Sequence, residues 1–190
     1  MSDRVWVVVF DGYADWEPAL VMAELRSAGR AVGVVGFDGP GLVVSMGGLS
    51  VTPDRGWDGL SPVDGALWVI PGGERWLTDP VAGKRLAAAV AARLASGGPV
   101  AALCGATAPL ARAGVFAARR HTSNDPHWLA AVAPGYPGAA RYDASALATT
   151  DGPLITASGT GSVAFAAEIL AALGVYTAEK RAVWRLSLIH

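Results

Sequence analysis

The sequence predicts an α/β protein built on a doubly wound, mostly parallel sheet, and three observations carry that prediction. Short apolar runs rich in β-branched residues alternate with helix-like segments, the pattern of βα units whose helices cover a buried sheet. Glycines and prolines punctuate the chain between short elements instead of gathering into a linker, and there is no internal repeat. The stretch from Pro99 to Gly114, PVAALCGATAPLARAG, runs from an apolar strand through Cys104 into a helix-like segment. Small residues stand two before and two after the cysteine, as a strand-to-helix nucleophile elbow requires.

Taken in order, Val5 to Phe10 is an unbroken apolar run and reads as a central strand buried on both faces. Asp11-Gly12 turns the chain. Pro18 suits the first turn of a helix that continues through Leu20, Met22 and Leu25 to Gly29. Ala31 to Gly36 completes a βαβ unit. Leu42 to Ser45 and Leu49 to Thr52 form a small hairpin around Met46-Gly47-Gly48, followed by a polar Pro-Asp-Arg-Gly loop. Ala66 to Ile70 is the next buried strand and ends in Pro71-Gly72-Gly73, where paired glycines let the backbone pass close to a neighbour.

Pro80 to Ser96 is an alanine-rich helix with Val81, Leu86, Val90 and Leu94 on one stripe, and it returns to the strand Val100 to Leu103. Beyond the elbow, Arg119 to Thr122 is expected to add a short strand, and Ser123-Asn124-Asp125-Pro126 supplies cap residues for a helix through Val132. Ala146 to Thr149 and Leu154 to Ala157 pair across Asp151-Gly152. The last helices run from Ser162 to Leu173 and from Thr177 toward the C-terminus.

Composition excludes several classes. The 190 residues fit one domain. Hydrophobic residues make up 52% of the chain, yet no run reaches the ~18 apolar residues of a membrane span. A net charge of -1 without a basic block argues against nucleic acid as the main partner. The single cysteine rules out an internal disulfide, and the N-terminus lacks a charged region followed by an apolar one. A cytoplasmic, reducing setting is expected.

Cys104 is therefore the expected reactive group. The elbow aims it at the start of the following helix, whose positive end favours a thiolate, so its pKa is expected below the ordinary ~8.5. Glu17 falls at the start of the first helix, beyond the carboxyl end of the first strand. In open α/β sheets the carboxyl ends converge on one crevice, so Glu17 is expected to touch Cys104, protonated and donating to the sulfur. Other constellations are weaker. Gly159 to Ala164 fits G-x-G-x-x-A but lies at the wrong end of the chain for a dinucleotide site, and reads as a tight helix start near the crevice. Asp11 and Asp15 read as loop carboxylates without calcium-loop spacing. His121, Asp125 and His127 lack zinc-ligand spacing with Cys104. His127 and His190 read as surface or capping residues, and the seven tryptophans as core packing. No metal or cofactor is expected.

With Glu17, Gly72-Gly73 and Cys104 in this order, the sequence resembles the DJ-1/PfpI superfamily, also described as class I glutamine amidotransferase-like, and within it the bacterial type 1 glutamine amidotransferase-like branch. VVVFDGYADWEPA, SMGGLSVTPD, VIPGG, ALCGATAPLA, RHTSND and LITASGTG carry the resemblance, which spans nearly all of residues 1–190. It implies a single domain with a flavodoxin-like three-layer sandwich, a reactive Cys104 contacted by Glu17, oxyanion-binding amides at Gly73 and Gly105, and a homodimer. His121 lies about where relatives carry a histidine near the thiol and is the candidate base.

PfpI-type proteases have a histidine directly after the cysteine, where this chain has Gly105, and true amidotransferases add a late His-x-Glu pair that is absent here. The final WRLSLIH also differs from the family's usual C-terminal helix. The expected activity is addition of the Cys104 thiolate to a small carbonyl-like electrophile, followed by hydration or hydrolysis. Glyoxalase-like hydration of 2-oxoaldehydes is the most concrete form, with amide hydrolysis and isonitrile hydration as other family chemistries. The alternative from another class is a stress-response protein whose Cys104 senses oxidants without turnover.

Overall fold

Apolar runs become strands here because both faces of the sheet are covered, leaving each strand residue an apolar neighbour on either side. The computed structural model describes residues 3–187. The chain begins with β1 (Val5–Val9), α1 (Trp16–Ser27) and β2 (Val32–Gly36), followed by the short β3 (Val43–Val44), β4 (Ser50–Val51) and β5 (Arg55–Gly56). Next come β6 (Leu67–Ile70), α2 (Arg75–Thr78), α3 (Pro80–Ala95) and β7 (Val100–Leu103). A 3-10 turn over Cys104–Ala106 then leads into α4 (Thr107–Arg112). The rest comprises α5 (Pro126–Val132), β8 (Ala148–Asp151), β9 (Leu154–Ala157), α6 (Ser162–Ala172) and α7 (Ala178–Ser187).

Seven strands form the main sheet in the order β5-β2-β1-β6-β7-β9-β8. All neighbours are parallel except β8 and β9, the expected hairpin, whose first strand runs to Asp151 so that the turn falls at Gly152-Pro153. Alternation along β1 divides the core into two layers. Val5 and Val7 face α1 and α6 with Leu25, Phe165 and Ile169, whereas Trp6 and Val8 face the opposite layer with Trp68, Trp76, Leu86 and Leu110. Helices on both faces complete the three-layer α/β sandwich. No helix of the described residues is long and apolar enough to cross a membrane.

Three local expectations change. Arg119 to Thr122 forms no strand and contributes a single bridge between His121 and Tyr142, outside the strands of the main sheet. The supposed loop after Pro53 instead ends in β5, a two-residue edge strand paired with Val35 and Gly36. A four-residue helix, α2, follows Gly73. The hairpin of β3 and β4 is confirmed as a separate two-stranded sheet. It is pinned to the loop after β1 by the Val44 amide donating to Asp11 Oδ1 and by Ser45 Oγ donating to Asp15 Oδ2. These bonds give Asp11 and Asp15 structural work as acceptors. Trp184 to Ser187 are helical, while His190 lies outside the described residues.

Candidate active site

The site begins with a strained turn. β7 is fully buried, and the chain must reverse direction immediately after Leu103 to lay α4 over the sheet. Cys104 takes up that reversal with φ 53, in the left-handed region that costs an L-residue about 1–2 kcal/mol. Such a bend brings backbones together. A Cβ on Gly72 would lie 2.8 Å from the Cys104 Cβ and 3.0 Å from its sulfur, and one on Gly105 would lie 2.8 Å from the Gly73 carbonyl. The Gly-Gly pair after β6 is thus the surface against which the elbow packs.

Glu17 reaches the same point from α1. Its side chain is completely buried, and its Oε2 accepts the Gly72 amide at 2.5 Å. Oε1 has no partner of that kind; it faces the Cys104 thiol, and the contact acts on the protonation of both groups. Gly159 closes the space on the third side, where an added Cβ would lie 3.0 Å from both the sulfur and Oε1. The G-x-G-x-x-A match is explained by this close approach and by the start of α6.

Burial raises the pKa of Glu17, with the Gly72 amide and the thiol pulling in the opposite direction. Burial and then the Glu17 charge push the Cys104 thiol up to about 11, against smaller opposing effects from Asn124 and the Gly105 amide. The sequence expectation of a depressed thiol pKa is therefore overturned. Removal from water next to a carboxylate outweighs the pull of a helix of only six residues. Both shifts favour retention of one proton between the two groups near neutrality, a property of the pair more than of either residue.

Asn124, which the sequence marks only as part of a cap, is a direct contact of the thiol. Its Nδ2 donates to the Cys104 sulfur at 3.3 Å, while its Oδ1 accepts the Gly159 amide at 2.9 Å. The second bond fixes which end of the amide faces the sulfur. Its neighbour Asp125 does cap α5, accepting the amides of His127 and Trp128.

His121 is placed differently from the expectation of a base at the thiol. The ring is buried and stacked on Phe116 at 4.2 Å between centroids, with Nδ1 3.0 Å from the Arg119 carbonyl and Nε2 3.1 Å from the Tyr136 hydroxyl. Neither nitrogen bonds to the sulfur, and His121 does not line the Cys104 pocket. Burial lowers its pKa, as for a core histidine held neutral.

Above the sulfur lies a pocket of about 170 Å³, lined by residues that include Glu17, Gly73, Cys104, Gly105 and Asn124. Trp16 and Trp128 also line it, so two of the tryptophans serve the pocket, while Trp6, Trp57, Trp68 and Trp76 are core.

An elbow cysteine facing a buried glutamate at the carboxyl edge of a parallel sheet is the arrangement that the sequence resemblance implied. The model of the DJ-1/PfpI family matches residues 3–172. The chain belongs to the DJ-1/PfpI family. It is 34% identical to the uncharacterized protease YoaZ of Bacillus subtilis (strain 168), over 95% of this chain and 88% of that protein. Among solved structures, a DJ-1 superfamily protein of Agrobacterium tumefaciens is 37% identical with a TM-score of 0.86, covering 96% of each chain. A thiJ/pfpI family protein of Bacillus anthracis is 32% identical with a TM-score of 0.88, covering 97% of this chain and 89% of that one.

Proposed function

We propose that this DJ-1/PfpI protein is a cysteine-dependent enzyme that adds Cys104 to a small carbonyl-like electrophile, with 2-oxoaldehyde hydration as its most concrete reaction. The observation that carries the reading is the Glu17–Cys104 pair, a thiol and a buried carboxyl group that share a pocket and favour holding one proton between them. As the sulfur bonds to the aldehyde carbon, its proton passes to Glu17 and the carbonyl electron pair moves onto oxygen. The amides of Gly73 and Gly105, which border the same pocket, are the proposed donors to that oxyanion. Glu17 passes that proton to the oxyanion, giving a hemithioacetal, and as a carboxylate again removes the hydrogen of the first carbon as a proton. In the enediolate the hydroxyl proton moves from the first oxygen to the second, Glu17 returns its proton to the second carbon, and water cleaves the resulting thioester to the 2-hydroxy acid and the free thiol. The net change is addition of one water to give a 2-hydroxy acid, with no external oxidant or reductant.

His121 has no role in this scheme, because both ring nitrogens are engaged in the core. The size of the pocket favours a small molecule over a polypeptide, and neither nucleic acid nor membrane is a proposed partner. Addition to an isonitrile carbon would use the same pair. The oxidant-sensor reading would use the same thiol, and Cys104-dependent turnover of an aldehyde separates the two. The proposal includes a homodimer, consistent with Leu42, Val44 and Leu49, exposed on and beside the β3–β4 hairpin, and sedimentation velocity reads it directly.

The test of the chemistry is conversion of methylglyoxal to lactate by the purified protein. Conversion is expected in the wild type, with loss in Cys104→Ala and a deep drop in Glu17→Gln. Undiminished conversion by Cys104→Ala, or none by a folded wild-type protein, would remove the glyoxalase reading.

A further inference from the structure

We propose that the Cys104 pocket selects uncharged electrophiles with an apolar body and turns away carboxylates, so that its substrates are neutral aldehydes or similar molecules and not 2-oxo acids. The inference rests on the reading of Cys104 as a nucleophile and specifies the chemistry that reaches it. Trp16, Met46, Leu77 and Trp128 supply apolar walls, while Glu74 and Glu17 are the ionisable oxygen acids among the lining residues. Among the described residues of this chain, no arginine, lysine or histidine lines the pocket. A carboxylate entering it would find no cation with which to pair.

The surroundings do not correct this. Arg75, next to Glu74 in the chain, is committed to Asp38 and Asp79. Glu74 is exposed and makes no ion pair among the described residues, so its charge stands uncompensated at the pocket. Glu17 lies completely buried beside the sulfur, and ionisation of the pair places further negative charge at the base of the pocket. An anion is therefore repelled at the entrance and again at the reacting atom. The cavity of about 170 Å³ is comparable to the ~150 Å³ that holds a benzene ring, so it has room for an apolar group of that size.

Alkylation reads this selection without turnover. Cys104 is the only cysteine, so every thiol label reports on this pocket. In each case the sulfur–carbon bond forms and iodide leaves. Rates with iodoacetate, iodoacetamide and N-benzyliodoacetamide are each divided by the rate with N-acetylcysteamine at the same pH. The expected iodoacetate ratio is at least about tenfold below the iodoacetamide ratio, and Glu74→Gln recovers about threefold of that difference. N-Benzyliodoacetamide is expected to exceed iodoacetamide by about threefold, an advantage lost in Trp128→Ala. An iodoacetate ratio equal to or above that of iodoacetamide overturns the proposal, as does a Glu74→Gln protein with unaltered discrimination. A protein that discriminates in this way yet converts no aldehyde would sink the catalytic reading alone.

Discussion

Glu17 Oε1 and the Cys104 sulfur converge on Gly159, each 3.0 Å from the place a Cβ on that residue would occupy. The convergence ties the first helix, the elbow and the start of α6 to one point. A carboxyl group and a thiol compressed into that space compete for a proton, and the reactivity of the sulfur depends on which holds it.

Replacement of Glu17 by glutamine separates the two consequences of the contact. The variant removes a charge that raises the thiol pKa and leaves an amide able to donate to the sulfur. The thiolate fraction at pH 7.5 should rise about tenfold, and the iodoacetamide rate with it. Aldehyde conversion should fall at the same time, because the proton carrier is gone. Slower alkylation by Glu17→Gln would show that the carboxyl group activates the thiol and does not restrain it.

Asn124 acts in the opposite direction, since its Nδ2 stabilises charge on the sulfur. Asn124→Ala removes a contact worth about 1 kcal/mol, so alkylation near neutrality should slow about fivefold. Asn124→Asp keeps an acceptor for the Gly159 amide but turns a second carboxylate toward the sulfur, and should slow labelling further. Equal rates for the wild type and both variants would mean that the bond has no influence on ionisation.

His121 should reveal itself in stability and not in reactivity. Its folded pKa is lowered by burial, whereas the unfolded chain takes up the proton near pH 6.5. Below that pH the unfolded state binds more protons, so this contribution to stability is present above pH 6.5 and lost on acidification. His121→Gln should be less stable at pH 7.5 through loss of the Phe116 stacking. The gap to the wild type in urea midpoint should narrow by pH 5, while the iodoacetamide rate at pH 8 stays within about twofold. A change in that rate of tenfold or more would return the residue to the site.

The strands were legible because burial on both faces leaves its mark in a single run of residues, as in VWVVV. The elbow was legible for a similar reason, since close backbone approach demands small neighbours around Cys104. The nearness of Glu17 followed from topology, because α1 and the elbow start at the carboxyl ends of β1 and β7, the two parallel strands that flank β6. Asn124 was hidden because the cap that Asp125 does make accounted for the whole stretch, and a contact from a loop 20 residues beyond the elbow leaves no local periodicity. His121 misled because a histidine near a site in sequence reads the same whether its nitrogens face a sulfur or the Tyr136 hydroxyl. The elevated thiol pKa was equally illegible, since the helix start is local while the burial and the opposing charge come from distant segments.

The elevated pKa of the Cys104 thiol makes stability depend on pH in the alkaline range. The Cys104 thiol moves from 9.0 to about 11 on folding, so between these limits the folded state binds more protons than the unfolded one. Stability therefore falls as pH rises through that window and levels off above it. The full linkage would be about 2–3 kcal/mol at 1.36 kcal/mol per pH unit, and solvent at the partly exposed sulfur trims this to about 2. Cys104→Ala lacks the titrating group but keeps the tyrosines and arginines, whose own titrations cancel in the comparison. The free energy of unfolding of the wild type relative to Cys104→Ala should thus drop by about 2 kcal/mol between pH 8.5 and 11, as read from urea denaturation. If the difference between the two proteins stays constant across that range, the thiol ionises alike in folded and unfolded chains, and the proton shared with Glu17 is not there.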